Sequence, residues 1–392
     1  MNTRYRPVVM LGLASCVIVG ACGASDGTGA SDGNGQLVFR WDDIPGDAVP
    51  VFMDTVTGVG AGVEGRALAS ARSRLLGIRE EWTYGTLDGP DNTLWAWLRD
   101  VTTDAEGNVY AVDGMLNLVR VLSSEGELIT ETFHRGEGPM ELRAPRSVEV
   151  IRDTVVVFSG FGIAYATGGP RGFTDAGRIF PEGASGAEDA CVTEALIYLR
   201  LSARTEPASV RAVTMAGTGA GSFGSVFDHE NPSVRSHMSR GGIACTHAPE
   251  RIATFFNSSP LIYAYDYSGR SIWVAYLSGF RPAETHGTRL SDGRVRLSRP
   301  GRSPEDRVQR LISLPGGLFL VQVLRMGATE MVDGRAIRRV QRSDSNLLSA
   351  RTGAGVYVGP DLPEVLHATE ERLFVVHAHD ELDYVFLSAY RW

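Results

Sequence analysis

The sequence contains no lysine, and all 38 of its basic residues are arginine. That composition suits a GC-rich genome and requires no functional account. Positive charge is in deficit: the formal net charge is −8. An acidic chain of this kind argues against nucleic acid as its main partner. The first apolar stretch, Pro7–Ala21, is too short to span a membrane comfortably. Cysteine is scarce. Two of the four lie in the N-terminal leader, at Cys16 and Cys22, and only Cys191 and Cys245 belong to the body of the chain. Neither has the paired spacing of a zinc site. Motifs for phosphate or nucleophile chemistry lack their context. Gly-Ala-Ser-Asp-Gly occurs twice between Gly23 and Gly33 and matches the G-x-S-x-G nucleophile elbow, but with no strand before it or helix after it. G-x-G-x-x-G at Gly219, Gly221 and Gly224 is followed by the turn-rich Ser225–Ser233, so a corner after a fourth strand is expected there rather than a dinucleotide site.

The start of the chain has the layout of an export signal. Arg4 and Arg6 form a short basic region, the uncharged apolar stretch follows, and Val-Gly-Ala-Cys ends at Cys22. This resembles the lipobox of bacterial lipoproteins. Cys16 also matches, but cleavage there leaves too short an apolar region. The resemblance implies a signal peptide at 1–21, lipidation of Cys22, and attachment to the cell envelope. Gly23, where an Asp often marks retention in the inner membrane, points to the outer membrane. Lipid chains contribute about 0.8 kcal/mol per buried CH₂. Residues 22–35 form a Gly/Ser/Asp-rich tether, and an N-terminal segment, 36–78, precedes the main domain at 79–392. Loss of the leader makes the mature chain more acidic by the charges of Arg4 and Arg6. In an exported protein the pair Cys191 and Cys245 is expected to form a disulfide.

The main domain is repetitive. Leu98–Asp104, Asn108–Asp113, Leu118–Ser123 and Glu127–His134 read as four strands joined by hairpin-length links, with Val109 and Ala111 facing one side and Tyr110 and Val112 the other. Such a meander is the unit of a propeller blade. Copies restart near 98, 146, 190, 243, 308 and 365. The last ends after three strands, at the chain terminus, and Arg79–Gly85 is the available donor of the fourth. The expected fold is an all-β, six-bladed β-propeller of four-stranded antiparallel blades, with the last completed by an N-terminal strand. Cys191 and Cys245 occupy matching places in the third and fourth copies, so the expected bond staples neighbouring inner strands.

The pattern D-x-x-G-N-x-Y-x-x-D (Asp104, Gly107, Asn108, Tyr110, Asp113) and the G-x-G-P corner (Gly136, Gly138, Pro139) resemble the six-bladed propellers of the NHL-like and TolB-like type. They resemble especially the propeller lipoproteins of bacterial envelopes, over roughly 80–392. The Asn-His-Arg segment of true NHL repeats is replaced here by Leu116–Arg120. The resemblance implies fold and export and carries no agreed activity.

Candidate chemistry is sparse. His377 and His379 lie two apart on a strand, and His229, His237 and His247 cluster near a blade junction, which could begin a zinc site. Propeller hydrolases hold an axial calcium with carboxylates, and Asp100, Glu149 and Glu194 lie near inner strands. No catalytic residue and no resident cofactor is assigned, although calcium or zinc is possible. Arg281–Arg307 is a basic segment on an acidic protein, and Arg281, Arg289, Arg294, Arg296, Arg299 and Arg302 are candidate partner-binding residues. The leading expectation is a monomeric binding or scaffold module for an envelope protein, peptide or glycan. The alternative is a metal-dependent hydrolase or lyase on the same fold. The anchor is checked by fractionation: a Cys22→Ala variant is expected to leave the membrane fraction, and its persistence there would refute lipidation at Cys22.

Overall fold

The computed structural model describes residues 34–37, 44–53, 62–86, 89–90, 93–181, 187–202, 208–227, 231–283, 285–290, 295–298, 304–332, 335–360, 362–378 and 384–392. Cys22 and the tether up to residue 33 lie outside them.

Six four-stranded antiparallel sheets follow one another as propeller blades. Blade 1 is Leu98–Thr103, Val109–Asp113, Leu118–Leu122 and Leu128–Thr132. The inner strands of blades 2 to 6 are Pro145–Ile151, Ala187–Val192, Ile243–His247, Glu305–Leu314 and Glu364–Ala368. These starts agree with the expected repeat. Inner strands touch in order around the ring, and the sixth meets the first. Arg79–Tyr84 pairs antiparallel with Val385–Arg391 and supplies the fourth strand of blade 6. The ring is thereby closed by the beginning of the domain holding its end, which pairs two sheet edges that would otherwise be exposed.

The alternation read from the sequence of the second strand decides how blades stack. Val109 and Ala111 pack with Phe374 and Leu387 of blade 6. Tyr110 and Val112 pack on the other side with Val155 and Val157 of blade 2. Each blade thus shows apolar side chains to both neighbours. A fully buried valine, leucine or phenylalanine side chain among them contributes about 1.5–3 kcal/mol. The D-x-x-G-N-x-Y-x-x-D pattern is structural. Asp104 accepts from the Asn108 N–H at 2.8 Å and the Tyr110 hydroxyl at 3.1 Å. Buried Asp113 accepts from the backbone of Ala96, Trp97, Met115 and Leu116. The G-x-G-P corner closes on Glu141, which takes the N–H groups of Glu137 and Gly138 at 2.7 Å each.

The residues ahead of the propeller pack onto it. Val49–Phe52 adds a fifth, parallel strand to the edge of blade 4. Helix Val63–Leu76 lays Leu68, Ala71 and Leu75 against Leu347, Val356 and Tyr390. Asn34–Leu37 pairs with Thr285–Arg289, which pairs in turn with Val295–Ser298.

Two local readings are corrected. Gly219–Phe223 is itself the outer strand of blade 3, and only Gly224 belongs to the corner after it. A seven-residue helix, Pro232–Met238, then follows where only turns were expected. Its cue was Asn231-Pro232: the Asn231 carbonyl Oδ1 accepts from Ser233 and Val234, and proline suits the first helical position.

Cys191 and Cys245 form the expected disulfide between the inner strands of blades 3 and 4, with Cα atoms 5.8 Å apart and a sequence separation of 54. A loop of that size corresponds to about 4 kcal/mol in the chain-entropy account. A Cys191→Ala/Cys245→Ala variant is expected to unfold at lower denaturant by up to that amount. Ready alkylation of both thiols in unreduced protein would contradict the bond.

Candidate functional site

The inner strands surround a chamber of about 1060 Å³ along the propeller axis. What reaches it is set by a repeated irregularity. In five blades the inner strand slips by one residue against its neighbour, at Arg99, Arg146, Glu188, Gln309 and Leu366. A bulge of this kind bends the strand and re-aims a side chain. All five extra residues line the chamber. Blade 4 shows no such slip between its first two strands and presents Gly241 and Gly242 to the chamber. The wall therefore carries charge from several blades, with polar and apolar surface in about equal share.

Asp100 and Asp189 each follow a bulge and perform the same task. Asp100 Oδ2 accepts the Val148 N–H of blade 2 at 3.0 Å. Asp189 Oδ2 accepts the Ile243 N–H of blade 4 at 3.1 Å, and its Oδ1 the Ala190 N–H at 2.9 Å. Both carboxylates clip one blade to the next from the channel side. Glu149 joins them. Burial, reinforced by Asp100 and Asp189, pushes its carboxyl up to about 8. Burial, then the charge of Asp189, lifts Asp100 to about 7 against the pull of Arg310 and of its backbone donors. Burial also raises Asp189 and Glu188.

Arg310 crosses the chamber. Its Nε donates to Glu364 at 2.8 Å and its Nη2 to the Arg99 carbonyl at 2.9 Å, tying blade 5 to blades 6 and 1. Burial works against its charge, but Glu364 and Asp100 outweigh it and hold the proton more tightly. Arg99 lies over the Trp97 ring with 3.5 Å from guanidinium carbon to ring centre. Burial first, then Arg146 and Arg310, lower it to about 10. Half-buried His367, held down to about 4 by desolvation, meets the Thr103 hydroxyl at 3.2 Å. Arg200 is buried behind the wall and is structural: it donates to the carbonyls of Leu201, Ser209, Ser239 and Phe255.

Of the three carboxylates expected near the axis, the structure brings Asp100 and Glu149 together. Glu194 lies in a turn, its side chain 82% exposed and 3.6 Å from Arg152. Asp189 takes the place expected of it. Among the described residues, no three His, Cys, Asp or Glu side chains are grouped so as to hold a metal ion. The described residues therefore offer an axial calcium no cluster of three carboxylates. His237 is on the short helix, His247 beside the Tyr267 hydroxyl, and His377 against Phe386; His229 and His379 fall outside the described residues. Asp189 was legible in principle, because Ala187-Glu188-Asp189 stands at the same point of its strand as Leu98-Arg99-Asp100.

The basic segment forms the hairpin that pairs with Asn34–Leu37. Arg281 is committed elsewhere: its guanidinium donates to Asp306 at 2.6 Å, within a buried cluster of Arg325 and Asp344. Arg296 is exposed on the hairpin, Arg289 ends its first strand, and Arg294, Arg299 and Arg302 lie outside the described residues.

No family model matches the chain, and neither does any curated protein. Solved structures do. A protein from Bacteroides fragilis classed as exported superposes with a TM-score of 0.52 at 8% identity, over 88% of this chain and 99% of that one. A member of the DUF4221 family from Bacteroides vulgatus gives 0.49 at 9% identity, over 80% and 97%. Virginiamycin B lyase from Staphylococcus aureus gives 0.43 at 10% identity, over 80% and 99%. At these identities the likeness concerns the fold alone.

The acidic cluster sets a pH dependence. Glu149 ionises near 8 in the folded chain against an ordinary 4.5. An acid raised by folding stabilises the native state fully below its unfolded value, and that stabilisation is lost as pH climbs through the folded one. Glu149→Gln is expected to flatten the fall in stability between those limits. At about pH 9 the variant gains on the order of a few kcal/mol over the parent. Urea unfolding at acid and alkaline pH measures it; parallel curves for the two proteins would show that Glu149 does not titrate in this range.

Proposed function

We propose that this protein is an exported binding module of the cell envelope, held to the membrane through lipid on Cys22, whose ligand enters the axial chamber. A polar peptide or glycan end suits it best. The observation that carries this reading is the chamber itself: about 1060 Å³ of space with charged groups delivered into it by bulges in neighbouring blades. That volume is at the upper end for ligand pockets, which pair an apolar frame with a few convergent polar groups. Trp95 and Trp97 stand in its wall. The disulfide supports an oxidising compartment. The name of the Bacteroides fragilis structure points the same way.

A second reading, hydrolase or lyase chemistry in the same chamber, is favoured by Asp100 and Glu149. Carboxyls near 7 and 8 lie where general acids and bases work. Its metal-dependent form finds no ligand set among the described residues.

The test is a thermal-shift screen of short peptides and oligosaccharides on the purified protein and on Gln309→Trp, which fills the chamber from a bulge position. Saturable stabilisation of the parent, absent in a Gln309→Trp protein of unchanged circular dichroism, is expected. Equal binding by both would move the site away from the chamber. Turnover of a bound compound, abolished in Glu149→Gln, would select the enzyme reading.

A further inference from the structure

Three arginines meet at one sector of the chamber, and two of them make no hydrogen bond or ion pair through their guanidinium groups among the described residues. Arg99 and Arg146 are the extra residues of the bulges in blades 1 and 2, and Arg310 follows the bulge of blade 5. Arg310 is neutralised by Glu364 at 2.8 Å. Among the described residues, neither the Arg99 nor the Arg146 guanidinium has a hydrogen-bond acceptor or an ion pair, and the Nε of Arg99 is buried without a partner. The one carboxylate on the adjoining bulge, Glu188, is turned to Arg240 at 3.4 Å and to the Gly241 N–H at 3.4 Å.

Arg99 is held in place rather than left to wander. Trp97 lies under its guanidinium at 3.5 Å. Gly114 lies along its stem, where an added Cβ would come within 2.7 Å of the Arg99 Cγ. A cation packed on an aromatic face keeps its fork pre-organised. Gathering like charges and burying an unmatched donor both cost stability. Of the described carboxyls nearby, Asp100 and Asp189 are engaged by backbone donors of the next blade, Glu149 is held largely protonated at neutral pH, and Glu188 feels Arg146 only after Arg240 and Arg200. Among the described residues, no acceptor meets these two guanidinium groups.

We propose that Arg99 and Arg146, with Arg310 behind them, form an oxyanion site, and that the ligand of the chamber presents a carboxylate or phosphate group to it. This rests on the reading of the chamber as a binding site and names the chemistry of its ligand. Two arginine forks can each pair an oxyanion bidentately. Trp97, 45% exposed, offers a flat apolar surface to whatever carries the anion, and the protonated Glu149 offers it a hydrogen-bond donor.

The experiment titrates acetate and inorganic phosphate against chloride at constant ionic strength and follows the melting temperature of the purified protein. A saturable rise with at least one of the two anions is expected, and the stronger of them identifies the class. Arg146→Met is expected to move the midpoint up by about tenfold or abolish the response. Arg99→Met should do the same. If Arg99→Met folds poorly, Arg146→Met alone decides. Arg152→Met, on an exposed turn outside the chamber, keeps the parental midpoint. An unchanged midpoint in Arg146→Met, or a non-saturating rise shared by all variants, overturns the site. If peptides or glycans bind the chamber with equal affinity in the parent and Arg146→Met, the oxyanion site fails and the binding module stands. If the anions bind as described and no peptide or glycan does, the site stands without that wider reading.

Discussion

The pairing of Arg79–Tyr84 with Val385–Arg391 is the constraint on which the rest of the molecule depends. Without it, the last blade would end at its third strand, and two sheet edges would lie open. With it, the first strand of the domain becomes the outermost of the last blade. Every blade then presses its apolar faces on two neighbours. Closure also fixes the diameter of the ring, and so creates a chamber whose walls are inner strands and whose contents are decided residue by residue.

The contents are decided by the bulges. A regular inner strand alternates its side chains between the two neighbouring blades. A one-residue slip breaks that alternation and directs a charged side chain toward the axis. The same device, repeated at Arg99, Arg146 and Glu188, brings opposite charges into one space. Asp100 and Asp189 then serve two ends at once. They hold the next blade through its backbone, and they crowd Glu149 so that burial and mutual repulsion keep it protonated. Structure and chemistry are coupled at these positions, because the groups that clip the ring together also set the electrostatics inside it.

Much of this architecture was legible because it is local. Turn glycines between short apolar runs mark hairpins, the two-residue period of Val109–Val112 assigns faces, and the missing fourth strand of the last copy points to Arg79–Gly85. The short helix at Pro232–Met238 was missed because its Asn-Pro cap sat inside a run of turn formers. The candidate site was half legible. Asp100 and Glu149 were singled out from their strands, but Glu194 was grouped with them on proximity to an inner strand alone, and it turns to solvent. Asp189 and the unmatched Arg99 and Arg146 went unnoticed, because strict alternation places them between blades.

From the sequence alone come the class of fold, the number and starts of the blades, the strand that closes them and the cysteine pair that staples two of them. Each rests on patterns within a few residues or on the match between copies. Only the tertiary structure decided which charged residues share the axis, that Arg281 is bound to Asp306 while Arg99 and Arg146 pair with no acceptor among the described residues, and that Asp100 and Asp189, each a blade away in sequence, raise the affinity of Glu149 for its proton. The reason is physical. A slip of one residue in a strand leaves composition and hydrophobic period almost unchanged, yet it turns a side chain from a neighbouring blade into the chamber. Its effect exists only once the ring has closed around that space.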